Sequence, residues 1–392
     1  MWDVKKASRF IESILLHFPT PAVFLAEEAD GTMTTIDGLQ RLETIFRYMK
    51  PLLKGPSQQY SNPHRFGSSS GLVLNYLTVM DNLNNKDITA LPVEKREEFW
   101  RSHISVVKLP PNVPPELKYE LFARLNQGSM SLNSQELRNC LFRGEYNNLI
   151  ASLSEKPVFL DMWGKKAPDK RMRHRGLVLR FFALLHRMER YSPPFREFLN
   201  LEMSDNQHLS DEDCELFEKE FNLATKWVKR VFGAQVLRLF WVGGTRKPTG
   251  SWGSRRLDLI YELEMVCFGK LGQSLDAIWQ DLDMTDQDLL IKGLRRATIR
   301  VMAEGRFLDS INEGTTLKRK VDLRFDMLNE ELRKIVEDPE KAILEAREID
   351  SCLRSSNVCH ACDEMLNPDD LVLIKMGDRK VLIHFFCRTQ GR

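Results

Sequence analysis

The spacing Cys359-x2-Cys362, followed by His384-x2-Cys387, leaves this chain the least freedom. Two thiols two residues apart fit one tight knuckle, and an imidazole with a third thiol at the same interval fits a second element. Together they complete a tetrahedral shell for Zn²⁺, so Cys359, Cys362, His384 and Cys387 are the expected metal ligands. His360 is an alternative donor. Between the pairs, residues 371–374 and 380–383 read as strands of a hairpin turning at Gly377-Asp378. Seven cysteines, three of them in this spacing, point to a reducing compartment rather than a disulfide framework, which makes the cytoplasm the expected location.

Near the other end, Thr35-Ile36-Asp37-Gly38-Leu39-Gln40-Arg41-Leu42 reads as a strand entering a turn and then a helix. Residues 33–36 form the strand end, while Leu42, Ile45, Phe46 and Met49 share one helical face. Asp37 is then the expected N-cap, and Gly38 admits close approach of another group to the backbone. Gln40 and Arg41 project from the first turn, where unpaired N–H groups and the helix dipole favour an anion such as phosphate. Ordinary turn and cap chemistry with a solvated Gln and Arg also accounts for these residues. Upstream, Phe10, Ile11, Ile14, Leu15 and Phe18 make a helical apolar stripe ended by Pro19 and Pro21, followed by a buried-type strand at 23–25 and an acidic turn at 27–32.

The run Asp37-Gly38-Leu39-Gln40-Arg41-Leu42 resembles the Asp-Gly-Gln-Gln-Arg-Leu signature of the GmrSD-type restriction endonuclease N-terminal family, a branch of the ParB/sulfiredoxin-like superfamily, with Leu39 replacing the first Gln. The resemblance implies a nucleotide-binding and hydrolysing pocket in which Gln40 and Arg41 face phosphate, Gly38 lines the nucleotide and Asp37 serves a metal or water. A second block supports it. A helix opened by Pro114-Pro115 closes at Gly128, and another restarts with Asn133 as cap and Glu136 reaching back. The family carries a similar block, Phe-x-x-x-Asn, then Gly, Leu and Glu-Leu-Arg, which implies that Arg124, Asn126, Glu136 and Arg138 complete the nucleotide pocket. A capping box is the other reading of Glu136, and the two are compatible. Residues 54–71 read as a surface loop or a lid, 81–90 as a hairpin or turn region, and 104–108 as a strand stopped by Pro110 and Pro111.

Lys165, Lys166, Lys170, Arg171, Arg173 and Arg175 form the densest basic cluster, either a contact for a nucleic-acid backbone or a solvated linker into a helix at 177–188. The net charge of only +2 excludes wholesale coating of a polyanion, so any such contact is local. Beyond Pro193-Pro194 the pattern is almost wholly helical. Ser210 with Asp213 caps a helix ending at Gly233, a second covers 256–268, and Thr285 with Asp288 opens a third. Lys318, Arg319 and Lys320 with Arg295, Arg296 and Arg300 offer a second basic face. The glycines at 243, 244, 250 and 253 lack the Gly-Lys-Ser/Thr ending of a phosphate-binding loop. The apolar runs at 177–185 and 236–242 are short and interrupted by Arg180 and Arg238, so no membrane partner is expected, and the N-terminus reads as mature helix rather than a signal.

The expected fold is α+β: a ParB/sulfiredoxin-like nucleotide-binding domain over 1–160, a mainly helical domain over 161–354, and a small zinc module over 355–392 that resembles a treble-clef finger. The expected function is a nucleotide-dependent, DNA-sensing protein of a restriction or phage-defence system, with a nucleoside triphosphate and Mg²⁺ at the first domain and structural Zn²⁺ at the tail. A metal-dependent endonuclease of HNH type and a non-catalytic DNA-binding or interaction module are the alternatives. The tail shows no complete HNH set, so it serves folding or recognition, or a partner chain supplies the nuclease.

Overall fold

A computed structural model of the chain describes residues 2–27, 31–53, 71–111, 113–125, 133–243, 249–376, 379–384 and 387–388. They form two compact units, Met1–Leu132 and Asn133–Arg392. The division falls after Leu132, upstream of the expected domain edge at 160.

The first unit is built on α1 (Val4–Leu15), β1 (Val23–Glu27), β2 (Met33–Asp37), α2 (Leu39–Met49), α3 (Val93–Arg101), β3 (Val106–Leu109) and α4 (Pro115–Leu125). Asp3 caps α1 by accepting from the Lys6 N–H. The helix buries Ala7, Ile11, Ile14 and Leu15, whereas Phe18, expected on the same stripe, lies past its end and is exposed. Two polar residues on the buried face order the irregular segment that follows residue 70. Ser8 Oγ accepts from the Asn75 N–H at 2.9 Å, and Glu12 Oε1 accepts from the N–H groups of Val79 and Met80 at 3.0 and 2.8 Å. That segment contributes Leu72, Leu74, Leu77, Leu83, Ile88 and Leu91 to a core around Tyr48 and Phe99. Residues 81–90 hold two short 3₁₀ turns rather than a hairpin.

The small sheet has the order β2-β1-β3. β1 is antiparallel to β2, with Leu25 opposite Thr35 and an irregularity that sets Phe24 opposite Asp37, and parallel to β3, with Phe24 opposite Val107. A register shift at the last pair increases the local twist and aims the end of β2 out of the sheet. Asp37 therefore stands at a sheet margin, one residue before α2.

The second unit is helical: α5 (Ser134–Leu141), α6 (Glu145–Ser154), α7 (Pro157–Met162), α8 (Arg173–Arg187), α9 (Phe195–Asp205), α10 (Asp211–Phe232), then the hairpin β4 (Arg238–Trp241) and β5 (Ser251–Arg256), α11 (Asp258–Asp281), α12 (Met284–Met302), α13 (Gly305–Ile311), α14 (Lys318–Glu337), α15 (Pro339–Ser355) and the hairpin β6 (Val372–Met376) and β7 (Arg379–Ile383). α11 is the axis. Every residue from Ile260 to Phe268 is buried, as a helix enclosed on all sides requires, with α8, α10 and α14 packed around it. Ser210 caps α10 as expected. Two boundaries differ from the sequence reading. Arg256 ends a strand and α11 starts at Asp258, because Trp252 packs on Phe232 and Phe240 and draws the preceding residues into a hairpin. Asp283, not Thr285, caps α12, accepting from the N–H groups of Thr285 and Asp286. Of the glycine-rich stretch, Gly244 and Thr245 lie outside the described residues.

The C-terminal segment belongs to the same core. Cys359, Leu366, Leu371, Val372, Leu382, Ile383 and Cys387 are continuous with the helical interior. Trp252 Nε1 donates to Asp369 Oδ2 at 2.8 Å, Gly250 N–H to Asp370, and Asn367 Nδ2 to the Gly250 carbonyl at 3.2 Å. No helix among the described residues is long and apolar enough to cross a membrane.

Candidate functional site

The β2–α2 turn assembles its side chains around a bare backbone position. Gly38, not Asp37, is the N-cap residue, at φ 95° and ψ 10°, and no side chain caps the helix. A Cβ at Gly38 would lie 2.9 Å from Val23 Cγ2 and 3.0 and 3.1 Å from Arg41 Nη2 and Nε. The group that approaches the Gly38 backbone is thus the guanidinium of Arg41. It folds back over the turn and donates to Asp37 Oδ2 at 2.6 Å, with the Arg41 side chain 11% exposed and that of Asp37 35%. Arg41 Nε is buried without a hydrogen-bond partner.

Gln40 Oε1 accepts from the Trp2 N–H at 2.6 Å, tying the start of α1 to α2. Leu39, at the position where the family signature carries Gln, is 53% exposed. Two residues of this site escaped the sequence reading. Trp2 contributes only a backbone N–H, which leaves no sequence signal. Glu43 is 5% exposed with Oε1 unpartnered; a carboxylate next to Leu42 in an apolar stripe was the available sign. The buried side of α2 is Glu43, Thr44 and Tyr48 rather than the face through Leu42 and Phe46.

The residues of the second block part company. Arg124 is exposed, 3.7 Å from Glu120 on α4, and Asn126 lies outside the described residues. Glu136 closes the capping box with Asn133 and pairs with Arg171 at 3.2 Å. Arg138 is buried in the second unit, where Nε donates to Asn200 Oδ1 at 2.8 Å and Nη1 to Gln135 Oε1 at 3.3 Å.

The basic cluster is mixed. The ammonium groups of Lys165, Lys166 and Lys170 are exposed and make no ion pair among the described residues. Arg173 pairs with Asp258 and stacks 5.1 Å over Trp163, and Arg175 donates to Asn139 Oδ1 at 2.8 Å. His174, within the cluster, is buried against Phe159, and burial lowers its pKa.

At the tail, the donor atoms of Cys359, Cys362, His384 and Cys387 all lie within 4.8 Å of one another. The knuckle is held by Cys359 N–H to the Glu364 carbonyl and Asp363 N–H to the Cys359 carbonyl, both at 2.8 Å. His384 turns Nδ1 toward the thiols, 3.3 Å from Cys362 Sγ and 3.9 Å from Cys387 Sγ. Its Nε2 lies 3.2 Å from the Met365 carbonyl, an acceptor that fixes the tautomer leaving Nδ1 as a ligand. Ligand distances of about 2.3 Å for sulfur and 2.0–2.1 Å for nitrogen put tetrahedral donors about 3.3–3.8 Å apart, so the set fits a metal ion.

Burial, then the neighbouring Cys362 and Cys359, push the Cys387 thiol up to about 12. For Cys359, burial acts upward but is outweighed by N–H groups of His384, Ala361 and Cys362, and the pKa falls. A divalent cation supplies the charge that lets all three thiols ionise together. His360 is exposed and outside the cluster; its N–H donates to the Leu382 carbonyl.

No curated protein and no solved structure matches the chain. Residues 1–143, which span the first unit and α5, match the family model described as GmrSD restriction endonuclease, N-terminal domain.

Proposed function

We propose that the chain is a nucleotide-dependent, DNA-sensing component of a restriction-type defence system, binding a nucleoside triphosphate at Asp37, Gly38, Gln40 and Arg41. The observation that carries this reading is the first turn of α2. It receives no side-chain cap, so its positive dipole end lies beside a guanidinium whose Nε has no acceptor. A phosphate oxyanion satisfies both. Arg41 is held by Asp37; a phosphate would compete for that guanidinium, and the released carboxylate would be available to the Mg²⁺ that accompanies a triphosphate or to a water. The first unit is read as ParB/sulfiredoxin-like on the strength of its strand, turn and helix order and of the family match.

The tail is read as a structural zinc site of treble-clef type. Three thiolates and one imidazole close the coordination shell, whereas hydrolytic zinc keeps one position open. This weighs against a nuclease centre at the cluster and leaves cleavage to a partner chain. The test is phosphate release from a panel of nucleoside triphosphates with and without duplex DNA, beside nucleotide-induced thermal shift. Arg41→Ala is expected to abolish both, and unchanged binding and turnover in that variant would overturn the assignment.

A further inference from the structure

The second unit contains a cavity of about 360 Å³ between the start of α5, the start of α8 and the start of α9. Arg138, Arg171, Arg173, Arg180 and Arg196 line it, and Asp258 is the one carboxylate in that lining. Two more carboxylates reach these arginines: Glu136 lies 3.2 Å from Arg171 and Glu262 lies 2.5 Å from Arg180. The lining itself thus carries five guanidinium groups and one carboxylate, and its sign is positive. Leu177, Leu199 and Phe195 supply an apolar wall.

A second observation comes from the side chain of Gln135. The residue is 6% exposed and lines the cavity, its Oε1 accepts from Arg138, and its Nε2 is buried with no hydrogen-bond partner. A buried carboxamide donor left without an acceptor is unfavourable until one arrives. The first amides of α5 are already taken, because the Asn133 and Glu136 side chains accept from the N–H groups of Gln135, Glu136 and Asn133. At α5, recognition falls to side chains. Guanidinium groups approaching from three elements suit a group that presents oxygens in several directions, which a phosphate does and a planar carboxylate does not.

We propose that this cavity binds a phosphate group, carried by a nucleic-acid strand or by a free phosphorylated ligand, with Gln135 and the surrounding arginines as donors. The nucleic-acid form rests on the DNA-sensing reading above, and Lys165, Lys166 and Lys170, which precede Arg171 in the chain, then extend the contact along the backbone. Arg138, which the family resemblance assigns to the nucleotide pocket, here serves a second anion site.

The test uses the full chain, labelled single-stranded and duplex DNA followed by anisotropy, and inorganic pyrophosphate followed by thermal shift. Gln135→Glu keeps the side-chain shape and the acceptor for Arg138 while placing a negative charge in the cavity. Asp258→Asn removes the carboxylate that lines it. Gln135→Glu is expected to weaken binding by about tenfold or more and Asp258→Asn to strengthen it several-fold, each with a melting temperature near wild type. Pyrophosphate binding that responds to the variants in the absence of DNA binding supports the cavity and overturns the DNA-sensing reading. DNA and pyrophosphate binding indifferent to both variants overturns the cavity and leaves that reading intact. Should Gln135→Glu fold poorly, Asp258→Asn decides alone, and no gain in affinity refutes the proposal.

Discussion

Replacing Gly38 by Ala tests the turn on which the nucleotide site depends. At φ 95° an L-residue pays about 1–2 kcal/mol in backbone energy. The new Cβ would stand 2.9 Å from Val23 Cγ2 on the central strand, and an overlap of this kind inside packed structure costs about 1–3 kcal/mol. It would also displace the Arg41 guanidinium, breaking a pair whose carboxylate is 35% exposed and which is therefore worth about 0.2–1 kcal/mol. The sum is about 2–6 kcal/mol, a large part of the stability of a small unit. Arg41→Ala loses the last contribution alone. Hydrogen exchange followed on peptides covering 33–49 reads the local opening free energy without requiring the two units to unfold together. Both variants are expected to lose the nucleotide-induced shift, and only Gly38→Ala to open α2. A Gly38→Ala protein within about 0.5 kcal/mol of wild type in that segment would show that the turn is not held as described.

Metal analysis is expected to find one zinc ion per chain, lost together with thermal stability on chelation or in Cys387→Ser; a metal-free chain of undiminished stability would refute the site. Burial raises the Glu264 carboxyl well above its ordinary 4.5, against a hydrogen bond from the Leu237 N–H. The folded form therefore holds the proton more tightly than the unfolded one, and this contribution to stability, complete below pH 4.5, is lost as pH rises through the folded value. Glu264→Gln is expected to gain on wild type in melting temperature from pH 5 to pH 8, and parallel curves would contradict the burial argument. At Gly144, φ 152°, a Cβ would meet the Gln207 carbonyl oxygen at 2.2 Å; Gly144→Ala is expected to cost about 3 kcal/mol or more in denaturant unfolding, and a smaller change would mean that the loop at 207 yields.

What could be read from the sequence followed its local chemistry. The Cys and His spacing fixes four donors because knuckles are local, and Asn133 with Glu136 announces a capping box for the same reason. Asp37-Gly38 marked the turn, yet the side chain that fills the space over Gly38 is set by the crossing of β1, and Val23 lies too far along the chain to enter a local reading. The sequence pattern places Arg256 in a helix because its strand carries no apolar alternation of its own; the hairpin is specified by Trp252 meeting Phe232 and Phe240. Arg138 and Arg173 fall in different blocks of the sequence, 35 positions apart, and only the packing of α5 and α8 brings them to one cavity.

The aspartates before β6 carry a practical consequence. Because Asp369 and Asp370 hold the indole of Trp252 and the backbone of Gly250, the cysteine-bearing tail works as a plug in the helical body, not as a bead on a string. Trimming the chain after α15 would uncover Trp252 and take the inward-facing Leu366, Leu371, Val372, Leu382 and Ile383 out of the core, so a shortened helical fragment should be sticky and prone to self-association, and grafting the tail onto another scaffold would carry over its ligands but not the wall they lean on.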